Sequence, residues 1–195
     1  GTSVSENPAG GYDPLLGTYI KVIDSAGAEF PDFSRKNDGA SIIDFEQNPF
    51  SFEFLIRPPS EENHNAIICQ KISGSKSISV ALSSSVSVSS CSVIFSINSG
   101  SSQLFTSASI EKGKFSHVCA TYDRDVTNKV LIYVSESLVA SSSSAFEFES
   151  LSLNRAKFII GSGSAFSNPP GSLRSSTVST LTPTTTLSGA LDEFR

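Results

Sequence analysis

The 195-residue chain has no tryptophan, only two histidines and three cysteines, and charged side chains make up just 17% of it. Each shortage narrows what the protein can do. Lys and Arg never form a run and the formal net charge is −5, so no basic face is available to neutralise phosphates. Nucleic acid is therefore not an expected partner. No apolar stretch approaches the roughly 18 residues that cross a bilayer, so no membrane span is expected. The histidines, His64 and His117, are too few for most hydrolytic or metal chemistries. Cys69, Cys91 and Cys119 lack the paired short spacings of a zinc site. At most one disulfide can form among them, and the favoured reading is three buried strand thiols acting as small hydrophobes. No Asn stands in an N-x-Ser/Thr acceptor, which leans toward a prokaryotic or viral source. The opening Gly1-Thr2-Ser3 carries neither Met nor a signal sequence, as expected of a processed end or of a piece of a longer protein.

Serine is what the chain has in excess, about a fifth of all residues. Such a surface is solubilised by hydroxyls more than by charge, a style of secreted, cell-surface and virion proteins. Hydrophobic residues, 38% of the chain and mostly Phe, Val, Ile and Leu, are enough for a two-layer core in a single domain of this length.

Alternation of period two recurs along the chain, and helical periodicity does not. Phe50, Phe52, Phe54 and Ile56 share one face of a strand whose other face carries Ser51 and Glu53. Pro58-Pro59 then ends it, because proline cannot donate to a ladder. Further strands are expected at 78–82, 86–88, 93–97, 115–122, 130–134 and 158–160. Turn signals such as Ser73-Gly74-Ser75, Asn98-Ser99-Gly100 and Lys112-Gly113-Lys114 separate them. Short strands with Gly/Asn/Ser turns indicate an all-β sandwich or barrel. Residues 1–16 read as an N-terminal arm or linker ahead of one domain at 17–195. Within it, 162–187 is a long Ser/Thr/Pro-rich loop, and an ordered loop of that length is expected to pack on its own domain or on a neighbour.

Four segments resemble the laminin-G-like, concanavalin A-like jelly-roll family. Phe50 to Pro58 looks like its early strand. Phe115 to Asp123, an aromatic followed by His117-Val118 and closing on Tyr122-Asp123, looks like its most recognisable motif. Leu131 to Val139 looks like the hairpin after it. Ile160-Gly161-Ser162 and Gly189 to Arg195 look like the last core strands. The resemblance implies a two-sheet antiparallel jelly-roll sandwich. The family's usual tryptophans are replaced by Leu55 and Phe115, and Ser135-Glu136-Ser137 stands where its hairpin commonly turns on Asp-Gly.

The resemblance also implies calcium at a sheet rim. Asp192 in the Gly-x-Leu-Asp-Glu motif is the first candidate ligand, against capping of a turn or pairing with Arg195 or Arg124. Asp123, Asp125 and Asn128 form a second oxygen-rich set. Phe166 beside Asn168 is the candidate ligand-binding pair, weighed against an anchoring role for the ring. Glu147-Phe148-Glu149 has the alternate spacing of paired glucanase carboxylates but stands alone; an exposed strand edge is the expectation there. His64 is expected to be solvated and His117 to be a structural strand residue. The expected function is a non-catalytic recognition or adhesion module, lectin-like, within a larger extracellular, cell-surface or viral protein such as a phage tail or capsid. Its partners would be a glycan or surface receptor. The alternative is a structural jelly-roll building block that associates with neighbouring subunits, including copies of itself. A glycan-degrading enzyme ranks last.

Overall fold

The computed structural model describes residues 45, 48–60, 64–84, 88–148, 151, 153, 156–167, 180–184 and 186–195, with the backbone of short strands at 3–4, 12–13, 17–18, 20–21 and 28–29. No helix occurs among these residues. The early strands are β1 (Ser3–Val4), β2 (Tyr12–Asp13), β3 (Gly17–Thr18), β4 (Ile20–Lys21) and β5 (Ala28–Glu29). The long strands follow: β6 (Phe50–Arg57), β7 (His64–Ser73), β8 (Lys76–Ser84), β9 (Ser90–Ser99), β10 (Ser102–Glu111), β11 (Ser116–Asp123), β12 (Lys129–Val134) and β13 (Ser137–Ser141). The chain closes with β14 (Phe158–Ile160), β15 (Phe166–Ser167), β16 (Thr180–Leu181) and β17 (Ala190–Asp192).

Two antiparallel sheets make the sandwich. One runs β1-β4-β17-β6-β11-β12-β13, the other β10-β9-β8-β7-β14-β5, and β2–β3 and β15–β16 are separate hairpins. Part of the segment read as an arm is thus strand: β1 pairs with β4 at the edge of the seven-stranded sheet. The alternation in β6 orients as expected, with Phe50, Phe52, Phe54 and Ile56 buried between the sheets and Ser51 exposed. Their rings mesh with aromatics from both layers: Phe52 meets Phe95 edge-on at 6.3 Å and stacks on Phe158 at 5.5 Å. Phe54 stacks on Phe194 at 5.8 Å, which ties the end of the chain to the central strand. Offset and edge-to-face pairs of this kind add to the free energy of burial. With so many phenylalanine rings, the core closes without tryptophan.

The strand β7 breaks the alternation. Ile67 pairs with Ala81 and Cys69 with Val80, leaving Ile68 as an extra residue. This bulge re-phases the strand: Ile68 and Cys69 both enter the main core, while Ile67 joins a second cluster on the far side of the six-stranded sheet. The sheet is therefore buried on both faces. The second cluster comprises Ile67, Ala81, Ile94, Phe166 and Leu181, with Phe105 packed against it. The β15–β16 pair supplies the last two of its buried members, so the described parts of the serine-rich segment pack on the sandwich.

Hydrogen bonds from the six-stranded sheet hold these parts of the loop. The Gln70 side chain accepts from the Ser164 backbone N–H at 2.8 Å and donates to the Ser164 carbonyl at 3.0 Å. Thr184 N–H donates to the Asn65 carbonyl at 2.9 Å. A Cβ on Gly163 would lie 2.6 Å from Gln70 Oε1, so only glycine permits this approach. Below the other rim, Lys71 is buried; its Nζ donates to the carbonyls of Leu153 at 2.9 Å and Ala156 at 2.7 Å, and lies over the Phe45 ring.

Candidate functional site

The strand β17 lies between β4 and β6, with Asp192 opposite Leu55 in register. Leu191 belongs to the main core, so alternation turns Asp192 to the opposite face. It is nevertheless only 8% exposed. Its Oδ1 accepts the Glu193 N–H at 2.8 Å, the turn-capping bond, and Glu193 takes φ 49°. Its Oδ2 is buried with no hydrogen-bond partner. Neither arginine weighed as a counterion pairs with it in this way: Arg195 sits 3.6 Å from Glu193, and Arg124 sits 3.5 Å from Glu147. A buried carboxylate oxygen that accepts no hydrogen bond is costly. A hard cation, with oxygen ligands from backbone or water completing its shell, is one way to satisfy it.

The second set occupies the turn between β11 and β12. Asp123 Oδ2 accepts from the Thr127 hydroxyl at 2.8 Å, and Asp125 is exposed. Asn128 adopts φ 54°, and its Oδ1 is buried without a partner. The Asn128 carbonyl accepts from Phe146 N–H at 2.8 Å, which holds residues 142–146 beside the start of β12. Tyr122 closes the inner side: its hydroxyl donates to the Phe146 carbonyl at 3.1 Å, and burial pushes its pKa up. The turn thus offers two carboxylates and one amide oxygen. Among the described residues no group of three or more His, Cys, Asp or Glu converges.

The expected strand edge at 147–149 is not formed at its described residues, Glu147 and Phe148. Both lie in irregular chain, because Phe148 turns inward to pack against Tyr122 at 6.1 Å between ring centroids while Glu147 stays exposed near Arg124. Glu149 lies outside the described residues, as does Asn168. His117 stands on the outer face of β11 with Nε2 2.8 Å from Glu53 Oε1. His64 opens β7, and its side chain lies outside what is described.

Phe166 is 4% exposed, enclosed by Ile67, Ala81, Ile94 and Leu181. Its ring anchors the loop and presents no open face for stacking. Beneath and beside the loop runs a polar row that strand periodicity does not single out. Gln70 donates to Ser79 at 3.0 Å, and Asn98 donates to Ser77 and Ser96 at 3.2 Å each. The one sequence signal is Gln70 itself, an amide that directly follows the apolar run Ile67-Ile68-Cys69. An open polar pocket lined by Arg57, Ser60, Gly113, Ser188 and Gly189 marks one end of the sandwich. Arg57 lies over the Phe115 ring at 5.2 Å there.

These sheets and this strand order define a two-layer β-sandwich, and comparison with known proteins identifies its family. The chain belongs to the concanavalin A-like lectin/glucanases superfamily, whose laminin G model matches residues 30–195. No curated protein matches the chain in sequence. Among solved structures it is similar to domains LG4-5 of the mouse laminin alpha1 chain, at 14% identity and TM-score 0.54, covering 79% of this chain and 36% of that one. It is also similar to the enzymatically active domain of tailspike protein 2 from bacteriophage CBA120. There the identity is 9% and the TM-score 0.55, with 100% of this chain and 27% of that one covered. Both likenesses are likenesses of fold, and the chain spans about a third of the first structure and about a quarter of the second. No helix among the described residues is long and apolar enough to cross a membrane.

Proposed function

We propose that the chain is a non-catalytic recognition or adhesion module, lectin-like, that carries calcium at Asp192 and serves a larger extracellular, cell-surface or virion protein. The observation that carries this reading is the buried, partnerless Oδ2 of Asp192. A hard divalent cation would supply the ligation that Oδ2 lacks, and bound calcium would stiffen the junction of β17 with its neighbours. Asp123, Asp125 and the orphaned Asn128 Oδ1 form the second place where a rim cation would sit.

One feature favours recognition over hydrolysis: Glu147 is drawn toward a buried arginine and stands in irregular chain, outside any strand that would pair it with a second carboxylate. A glycan or surface receptor is the partner such a module would take.

The test is binding to a broad glycan and polysaccharide panel, run with calcium and again in EDTA. Binding that disappears in EDTA is the expected result. Chain cleavage of any panel member, abolished by Glu147→Gln, would replace this reading with an enzymatic one.

A further inference from the structure

Three connections meet at one end of the sandwich and leave an open groove of about 430 Å³, lined by residues 57–60, Gly113, Ser188 and Gly189. Two of its corners are glycines in the left-handed region, Gly113 at φ 73° and Gly189 at φ 115°, and neither brings a side chain to fill the space. The walls are held by backbone. Gly113 N–H donates to the Pro58 carbonyl at 2.9 Å, and Gly189 lies against the Arg57 carbonyl. Hydroxyls, prolines and peptide groups make up the lining, with Arg57 as its one charged side chain.

Arg57 is the last residue of β6 and stands opposite Ala190 of β17. Ile56 belongs to the main core, so alternation turns the Arg57 side chain outward. Its guanidinium carbon lies 5.2 Å from the centroid of the Phe115 ring. That contact occupies a face of the planar guanidinium and leaves its N–H edge clear of the ring. No carboxylate takes up the edge. Of the three described arginines, Arg124 sits by Glu147 and Arg195 by Glu193, whereas no carboxylate among the described residues pairs with Arg57. Lys114, next to Gly113, is paired with Glu111 at 2.6 Å. In a chain of net charge −5, Arg57 is thus a cation set at a groove with its N–H edge uncommitted.

We infer that this groove binds a carboxylate, held by the N–H edge of Arg57. The guanidinium fork and a carboxylate match through two parallel, charge-assisted bonds. One guanidinium balances one negative charge, which in an acidic chain suits a monoanion better than a dianionic phosphate. Stacking on Phe115 settles the guanidinium before the ligand arrives and lowers the cost of ordering it. A sugar acid carried on a glycan and a free organic acid share this chemistry. The site needs no metal ion, so it stands independently of the cation at Asp192. A single pair this open to water is weak, with dissociation at about 1–10 mM.

Amide NMR titrations in EDTA at constant ionic strength test this, with glucuronate, its methyl ester, acetate and sulfate as probes. Glucuronate should shift the Ser60, Gly113, Ser188 and Gly189 amides saturably, and the uncharged ester should not. Arg57→Gln should abolish the shifts. Arg57→Lys keeps the charge but loses the fork, and should weaken binding about fivefold or more. The Arg57 side chain is exposed, so both variants should fold. Acetate separates the two sources: binding about tenfold weaker than glucuronate marks a sugar acid, and equal binding marks a simple carboxylate. Shifts that survive Arg57→Gln, ester or sulfate binding as tight as glucuronate, or no saturable shift at the groove would overturn the inference.

Discussion

Gln70 and Ser164, 94 residues apart, are joined as two strand residues would be: the buried side-chain amide accepts from the Ser164 N–H and donates to its carbonyl. A side chain thereby supplies the pairing that the irregular backbone of the serine-rich loop cannot. Gln70→Leu keeps the volume and removes both of these bonds and the one to Ser79, leaving two backbone groups and a buried hydroxyl without their partner beneath the loop. We expect a loss of about 2–3 kcal/mol in denaturant unfolding. Faster hydrogen exchange should accompany it, confined to residues 161–167 and 180–184. Unchanged exchange there would mean that Phe166 and Leu181 hold the loop without the amide.

The contrast between strands shows how much of this was legible beforehand. Phe50 to Arg57 could be read because one face is apolar and the other polar, and the outer face of β6 is indeed more open. The strand β7 was missed because both of its faces are buried and its bulge interrupts the period. The strand β10 was missed for another reason: its inward residues include Thr106 and Ala108, too weakly apolar to stand out from the serines between them. Of the site, the motif around Asp192 was legible, but its burial was not, since that depends on a strand pairing far away in sequence. The ring of Phe166 was visible as an aromatic in a polar loop; only the second core explains where it goes.

The β12–β13 turn carries strain that substitution can relieve. Ser135 and Glu136 sit at φ 48° and 69°, the two positive positions of a tight hairpin loop, and neither is glycine. Asn and Gly prefer those positions. Ser135→Asn/Glu136→Gly is expected to raise stability by about 0.5–1 kcal/mol, read from the midpoint of denaturant unfolding. A lower midpoint would show that the Glu136 side chain holds the turn.

At Gly189 the opposite holds. Its φ is +115°, and a Cβ there would run into the Arg57 carbonyl of the neighbouring strand. Gly189→Ala should cost about 3 kcal/mol or more, or abolish soluble expression at 37 °C. A variant within about 1 kcal/mol of the unmodified chain would contradict the close approach of β17 to β6.

None of the three cysteines is in a disulfide, and they are not equivalent. Cys69 and Cys91 are buried in the main core, as expected of small hydrophobes, and burial raises the Cys69 thiol pKa well above its ordinary value. Cys119 is half-buried on the outer face of β11, opposite Glu53 and Tyr133. An aromatic disulfide reagent at pH 8 should therefore titrate Cys119 in the native protein and all three thiols in guanidinium. Rapid native reaction at Cys69 or Cys91 would mean that the sheets open readily.

The most direct measurement is thermal unfolding of the unmodified chain and of Asp192→Asn, each in calcium and in EDTA. Asparagine keeps the bond to the Glu193 N–H while removing the carboxylate charge. Calcium should raise the melting temperature of the unmodified chain and leave the variant unmoved, and in EDTA the variant should be at least as stable as the original. A melting temperature indifferent to calcium, or a variant destabilised equally in both buffers, would contradict a cation at Asp192.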